Sequence, residues 1–365
     1  MFGQATGAGF AVSVIMRTVN RRDFLQLAAA PLFAQTTAPD RWRVFEITTR
    51  VRILTPAGPT RVWLPMPLAV APYQKTLGDT YHAQGGSAVM VENDDLDTLI
   101  AEWDEGVEPI LTVTSRVSTT DRTVNVTTPT VPPPLDARVL DRFLRPTKLI
   151  PTDGIVKTTS NTITRGAGTD IERARAIYDW IVDNTFRDPA TRGCGVGDIR
   201  FMLESRNLSG KCADLNALFV GLARASGIPA RDVWGLRVGT SHKDLRSLGL
   251  ASDNATRAQH CRAEVYLTGY GWVPADPADV RKVALEEPPG HLAMNDEKVR
   301  SARARLFGSW EMNWIAFNDA HDVLLPRSKR GMLGFFMYPQ AETANGRLDS
   351  LDADTFKYEI TAREV

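Results

Sequence analysis

The sequence predicts an α+β protein: a β-sandwich first, then a mixed unit of helices and strands, with further β structure at the C-terminus. Three observations carry this expectation. Residues 40–130 alternate apolar and polar side chains with period two, the signature of strands wet on one face. Apolar residues from Ile171 to Leu222 recur at helical spacing in two separate stretches. Beyond them lie short strand-like runs divided by glycine, proline and asparagine, among them His260–Leu267 and Trp272–Asp276.

The chain has 365 residues, with 43 Lys+Arg against 43 Asp+Glu, so its charge gives no reason to expect nucleic acid or an anionic membrane as partner. No run of 18 apolar residues occurs, and no membrane span is expected. Residues 1–34 have the layout of an export signal of twin-arginine type. Arg21-Arg22 precede a weakly apolar run, Leu25–Phe33, and an imperfect cleavage site, Leu32-Phe33-Ala34, while Met16 is an alternative start. The expected location is therefore the periplasm or the exterior. Three cysteines, Cys194, Cys212 and Cys261, are too few for a disulfide framework, and the odd number leaves at least one thiol free.

In the first unit, residues 35–134, Phe45, Ile47, Thr49, Val51 and Ile53 alternate with Glu46, Thr48, Arg50 and Arg52. Val62–Leu64, Ala88–Val91, Leu99–Trp103, Ile110–Val113 and Val124–Val126 follow between turn residues, as in a sandwich. Pro132-Pro133-Pro134 marks the boundary. The second unit is placed at 135–285. Thr169 lies three residues before Glu172 in capping-box form, and Ile171, Ala174, Ile177, Tyr178, Ile181 and Val182 predict a helix to about Asn184. After a glycine-rich loop, a helix begins near Lys211 with the stripe Leu215, Leu218, Phe219 and Leu222, and ends at Gly227 and Pro229. Strands are expected at 231–238, 260–267 and 272–276. Residues 286–365 read as a β-containing extension packed on the core, with strands at 310–317, 332–338 and 356–362.

Cys212 opens its helix, where unpaired amides and the helix dipole favour a thiolate and an oxyanion. Gly210 allows close approach, and Gly210 and Lys211 are the substrate or oxyanion candidates. The alternative for a single cysteine is a small buried hydrophobe. On the strand, His260, Arg262, Glu264 and Tyr266 share a polar face, expected at the surface, while Cys261, Ala263, Val265 and Leu267 face the core. A hairpin about Leu267-Thr268-Gly269 sets Glu264 opposite Trp272, Arg262 opposite Pro274 and His260 opposite Asp276. Opposed side chains lie about 5 Å apart at Cβ, within reach of an imidazole–carboxylate bond. Thiol, imidazole and carboxylate together form a nucleophilic acyl-transfer set. Asp279 is the competing carboxylate, and Trp272 belongs either to the cleft wall or to the core. Arg200, Glu204 and Arg206 read first as a solvated face and second as substrate contacts. His242, His291 and His321-Asp322 lack metal-ligand spacing, and no glycine-rich phosphate loop follows a strand, so neither metal nor nucleotide cofactor is expected.

Four blocks in order, Gly-Lys-Cys at 210–212, Gly-Ile-Pro-Ala-Arg at 227–231, His-x-x-Ala-Glu-Val-Tyr at 260–266 and Gly-Trp-Val-Pro-x-Asp-Pro at 271–277, resemble the transglutaminase-like superfamily. The resemblance spans about Ile171–Val280. It implies a papain-like cysteine-protease core with a Cys-His-Asp triad at Cys212, His260 and Asp276. The region 40–130 also resembles the N-terminal domain of bacterial members. Cys261-Arg262 departs from the Ala-Trp that often follows the histidine in relatives, which puts the cleft wall in question. The expected function is cysteine-dependent acyl transfer on a peptide or protein, with hydrolysis ahead of protein-glutamine transglutamination. The other readings are a binding protein that keeps the fold without turnover and a structural metal site. Oligomeric state is not legible.

Overall fold

The computed structural model describes residues 13–15, 41–93, 96–132 and 135–365. The expected export signal, apart from the short strand Ser13–Ile15, lies outside the described residues. Among the described residues no helix is long and apolar enough to cross a membrane.

The N-terminal region supplies β1 (Arg43–Ile53), β2 (Thr60–Pro65), β3 (Gln74–Gln84), β4 (Ser87–Val91), β5 (Thr98–Trp103) and β6 (Ile110–Thr119). The alternation read from the sequence is what they show: Phe45, Ile47, Val51 and Ile53 are buried, while the intervening residues are partly or fully exposed. These strands form two antiparallel sheets, and neither is closed by the N-terminal region alone.

The core begins with α1 (Gly154–Ile163), α2 (Asp170–Asn184), α3 (Ile199–Ser205) and α4 (Cys212–Ala225). The capping box of α2 forms as expected, with the Thr169 hydroxyl accepting the Glu172 N–H and the Glu172 carboxylate accepting the Thr169 N–H at 3.0 Å. Helix α4 is not the amphipathic helix its stripe suggests, because all of its residues are buried. It runs through the middle of the core, against α1, α2, α3, the sheet, and α5 (Pro277–Glu286). Each fully buried leucine or phenylalanine on it contributes about 1.5–3 kcal/mol. Gly221 lets α3 approach, since a Cβ there would run into the Ile199 side chain.

The core sheet contains β7 (Ala230–Arg237), β8 (Arg262–Leu267) and β9 (Gly271–Ala275), with α6 (Glu297–Arg305) following α5 and β10 (Trp314–Asn318) completing the order β9-β8-β7-β10, all antiparallel. Segment 286–365, expected to pack on the core as one extension, divides. Strand β10 joins the core sheet. Strand β11 (Gln340–Thr343) pairs with β2 and β12 (Phe356–Glu364) pairs with β1, so the last residues complete both sandwich sheets. Sandwich and core meet where the buried Gln74 amide donates to the Ala316 carbonyl at 2.9 Å and accepts the Ala316 N–H at 2.7 Å. A cluster of Tyr73, Trp310 and Trp314 packs beside this junction.

The expected β8–β9 register is displaced by two residues. Leu267 pairs with Gly271, Tyr266 with Trp272 and Glu264 with Pro274. The loop is Thr268-Gly269-Tyr270, with Gly269 in the left-handed region at φ +84° and Tyr270 N–H bonded to Leu267 O at 2.9 Å. A two-residue displacement keeps every side chain on its face, whereas a displacement of one would have reversed them. The polar face of β8 is also not at the surface. Glu264 is fully buried, and its charge is met by Arg122 at 2.7 Å and Arg231 at 2.6 Å. Arg262 is buried over the Trp314 ring at 4.7 Å. Burial and the neighbouring Arg237 cation push the Arg262 guanidinium down to about 10.

Candidate active site

Cys212 is the first residue of α4 and is buried. The loop before it is tied down by one carboxylate. Asp214 accepts the N–H groups of Val196 and Gly197 at 2.9 Å each and that of Lys211 at 3.0 Å. Gly210 makes room for that carboxylate, because a Cβ there would lie 2.5 Å from Asp214 Oδ2. Its close approach therefore serves the loop and not a substrate. The Lys211 N–H is likewise engaged by Asp214, and its ammonium donates to the Thr191 carbonyl at 2.7 Å. Ala213 N–H bonds to Cys194 O at 2.9 Å. In this turn the Cys212 N–H is the amide without a carbonyl partner among the described residues, and it is the one free to meet an oxyanion.

His260 lies just before β8. Its backbone is held from two sides, by N–H donation to Gly235 O at 3.0 Å and by Trp314 Nε1 donating to its carbonyl at 2.8 Å. The ring Nε2 is 2.7 Å from Asp276 Oδ2, and the imidazole lies near enough to Cys212 to help lower its thiol. With the carboxylate accepting, Nε2 carries the proton and Nδ1 is left for the sulfur. In the observed register His260 reaches Asp276 diagonally, because extrapolating the pairing sets Asp276 opposite Arg262.

Asp276 caps α5, whose first residue is Pro277, a residue suited to that position. Its Oδ1 accepts the Asp279 N–H at 3.1 Å and the Asn216 amide at 3.2 Å, which leaves Oδ2 to the histidine. Asp279, the competing carboxylate, is also present, 3.4 Å from His260 Nε2, but its stronger partner is Arg237 at 2.5 Å. His260, Asp276 and Asp279 lie within 4.8 Å of one another, a spacing that would suit a cation. Arg237 already supplies positive charge there.

Asn216 was not singled out from the sequence. It sits one turn after Cys212, fully buried, donating to Cys261 O at 2.9 Å and to Asp276, and accepting from Ala278 N–H at 3.3 Å. A polar residue four positions from the cysteine, inside an otherwise apolar run, was the available signal.

Charge in the site is distributed by contact. The neighbouring Cys194 and Cys261 thiols, then His260, outweigh burial and hold the Cys212 thiol well below the usual range. The proximity of Cys212, with burial, pushes Cys194 and Cys261 up, so negative charge collects on Cys212. All three cysteines are free. Burial and Arg237 act to lower His260, but Asp279 and Asp276 outweigh them and raise it above its ordinary value. Burial and the nearby Asp279 charge raise Asp276, whereas the Arg237 guanidinium overrides burial and holds Asp279 low.

Cys212, His260, Cys194, Gln259 and Lys211 line a cleft of about 830 Å³. A slightly larger cavity, about 910 Å³, lies on the sandwich around Arg61, Glu102 and Trp103 and has no cysteine or histidine in its wall. Trp272 does not line the cleft. It packs edge-on to Phe143 and Tyr266, with Arg231 over its ring at 4.3 Å. Arg200 is paired with Asp153 at the surface. Glu204 is exposed and Arg206 caps α3 in the left-handed region. His242 and His291 stand apart, and His321 contacts Asp232 and Trp234.

Residues 157–277 match the family model described as the transglutaminase-like superfamily. An uncharacterized protein of Haemophilus influenzae is 34% identical over 342 residues, covering 88% of this chain and 92% of that protein. A crystal structure of a candidate cysteine protease from Cytophaga hutchinsonii superimposes with a TM-score of 0.52 at 15% identity, covering 89% of this chain and 88% of that one. At that identity the likeness concerns the fold.

Proposed function

We propose, from the premise that the chain belongs to the transglutaminase-like superfamily, that it is an exported cysteine hydrolase acting on peptide or carboxamide bonds. The Cys212 thiolate attacks the carbonyl carbon while the Cys212 N–H receives the developing oxyanion. The C–N bond breaks as His260 Nδ1 passes its proton to the leaving nitrogen, and a thioester remains. Water, deprotonated by the same nitrogen, adds to the thioester, and the acid departs as the thiol reforms. Asp276 keeps Nε2 protonated throughout and stabilises the imidazolium. Asn216 and the helix cap position that carboxylate.

The observation that carries this reading is the 2.7 Å bond from His260 Nε2 to a carboxylate held at the start of α5, with His260 sharing one cleft with a cysteine at the start of α4. Hydrolysis is favoured over amine transfer because polar side chains, Gln259, Asn254 and Ser252 among them, line part of the cleft wall and give water a path to the thioester. The export proposal rests on Arg21-Arg22 and the apolar run after them.

The test is a peptide panel incubated with wild type and Cys212→Ala, with and without an added primary amine. New peptide termini or ammonia alone, absent from Cys212→Ala, are expected. Incorporation of the amine would replace hydrolysis by transglutamination. Identical traces for the two proteins would remove the enzyme reading. A reporter fused to residues 1–34 should reach the periplasm and should fail to with Arg21→Lys and Arg22→Lys together.

A further inference from the structure

The cleft that holds Cys212 is unevenly charged in a protein whose overall charge is balanced. Arg187, Lys211, Arg237, Arg257, Lys282 and Lys357 line it, against one carboxylate, Glu359. Some of these cations are already matched. Arg237 is bound to Asp279, Arg187 and Lys282 share Glu286, and Lys357 is 3.1 Å from Glu359. Lys211 and Arg257 have no carboxylate partner among the described residues, and the Lys211 ammonium rests on a neutral carbonyl. Lys282, beside Glu286, is pushed down to about 8 by burial and then by the Arg237 cation. These groups converge on the cleft around the sulfur, where low-dielectric walls strengthen their joint field.

We propose that the substrate is an acidic peptide, one whose carboxylates flank the scissile carbonyl and supply the counter-charge that Lys211 and Arg257 lack. This inference rests on the hydrolase reading. It adds that substrate choice is set by charge: a glutamate- or aspartate-bearing acyl donor is drawn in, its glutamine analogue is held more weakly, and a lysine-bearing one is repelled.

Two size-matched thiol reagents test this without turnover. Iodoacetate and iodoacetamide differ by one negative charge at similar size. The iodoacetate-to-iodoacetamide rate ratio at Cys212 is expected to exceed that of N-acetylcysteine by about tenfold. It should fall several-fold in Arg257→Glu, an exposed position, and again at high salt. Peptides differing only in Glu, Gln or Lys beside the target bond, each with a free or amidated C-terminus, are then used to protect Cys212 from iodoacetamide. The Glu peptide should protect at about one-tenth the concentration of the Gln peptide. Loss of protection only on amidation would assign the recognised carboxylate to the chain terminus, still an acidic peptide. A ratio equal to that of the free thiol, or equal protection by Glu and Gln peptides, would overturn the charge proposal while leaving the nucleophile intact. If neither reagent reacts faster with Cys212 than with N-acetylcysteine, the hydrolase reading fails, and this proposal fails with it.

Discussion

Replacing Asp276 by asparagine separates the chemistry of this carboxylate from its structural duties. Oδ1 accepts from the Asp279 N–H and the Asn216 amide at 3.1 and 3.2 Å, and an asparagine oxygen can keep both bonds. Oδ2, 2.7 Å from His260 Nε2, becomes an NH2 group, which donates where the ring also donates. The imidazole must then carry its proton on Nδ1, so the nitrogen next to the sulfur no longer accepts. In a serine-protease triad the equivalent change lowers kcat by about 10⁴-fold, and we expect on the order of 10³–10⁴-fold here, about 4–5.5 kcal/mol in the barrier. The thermal midpoint should stay near wild type. Asp276→Ala should lose activity and stability together, because it removes the helix cap, about 1 kcal/mol, and strands a buried amide, about 1–3 kcal/mol. The assay is the second-order rate of Cys212 alkylation against pH, alongside turnover of any peptide found active. An Asp276→Asn protein that is alkylated at pH 6 within threefold of the wild-type rate would refute the orienting role.

Four further outcomes follow from the same contacts. His260→Ala should move the onset of Cys212 alkylation to higher pH. The thiolate exists above the thiol's pKa, and removing the imidazole that lowers it raises that pKa, so reactivity is lost in the acid range and returns in alkali. Asp279→Asn should destabilise more than it slows alkylation, because it leaves the buried Arg237 unpaired, a change worth about 3–5 kcal/mol in denaturant titration. Asn216→Ala should cost about 2–4 kcal/mol by thermal melting, since it abandons buried partners at Cys261, Asp276 and Ala278. Gly195→Ala, at φ +95° with its new Cβ against the Asp214 carboxylate, should lower the melting temperature and, by freeing the loop before Cys212, slow alkylation as well.

What could be read from the sequence was the part that depends on near neighbours in the chain. The Thr169–Glu172 capping box needs three residues, and the alternation of β1 needs only its own. His260 and Asp276 are separated by a single hairpin, so parity alone put them on one face even though the pairing was displaced by two. The turn was placed one residue early because Gly269 fits either the middle or the last position of a three-residue loop. Burial of Glu264 was not legible, because the arginines that neutralise it, Arg122 and Arg231, come from different parts of the chain. The same holds for the cleft: Arg187, Arg257 and Lys357 share a wall although long stretches of sequence separate them. Asn216 was within reach, because its spacing from Cys212 is one helical turn.

Strand β1 lies between β6 and β12, so Phe45 pairs at once with Val117 and with Glu364. That sheet is therefore closed by Phe356–Glu364, a strand far from β1 in sequence. The first unit cannot complete its sheets alone, and an N-terminal fragment ending near residue 134 would expose the bare edges of β1 and β2. Such a fragment should aggregate by strand addition. The wild-type chain should fold slowly for its size, because ring closure over some 300 residues must precede the last β pairing. Since β12 also carries Tyr358 and Lys357 into the cleft wall, the cleft acquires its final shape only once β12 has docked. A chain lacking β12 would thus hold the cysteine without its finished cleft.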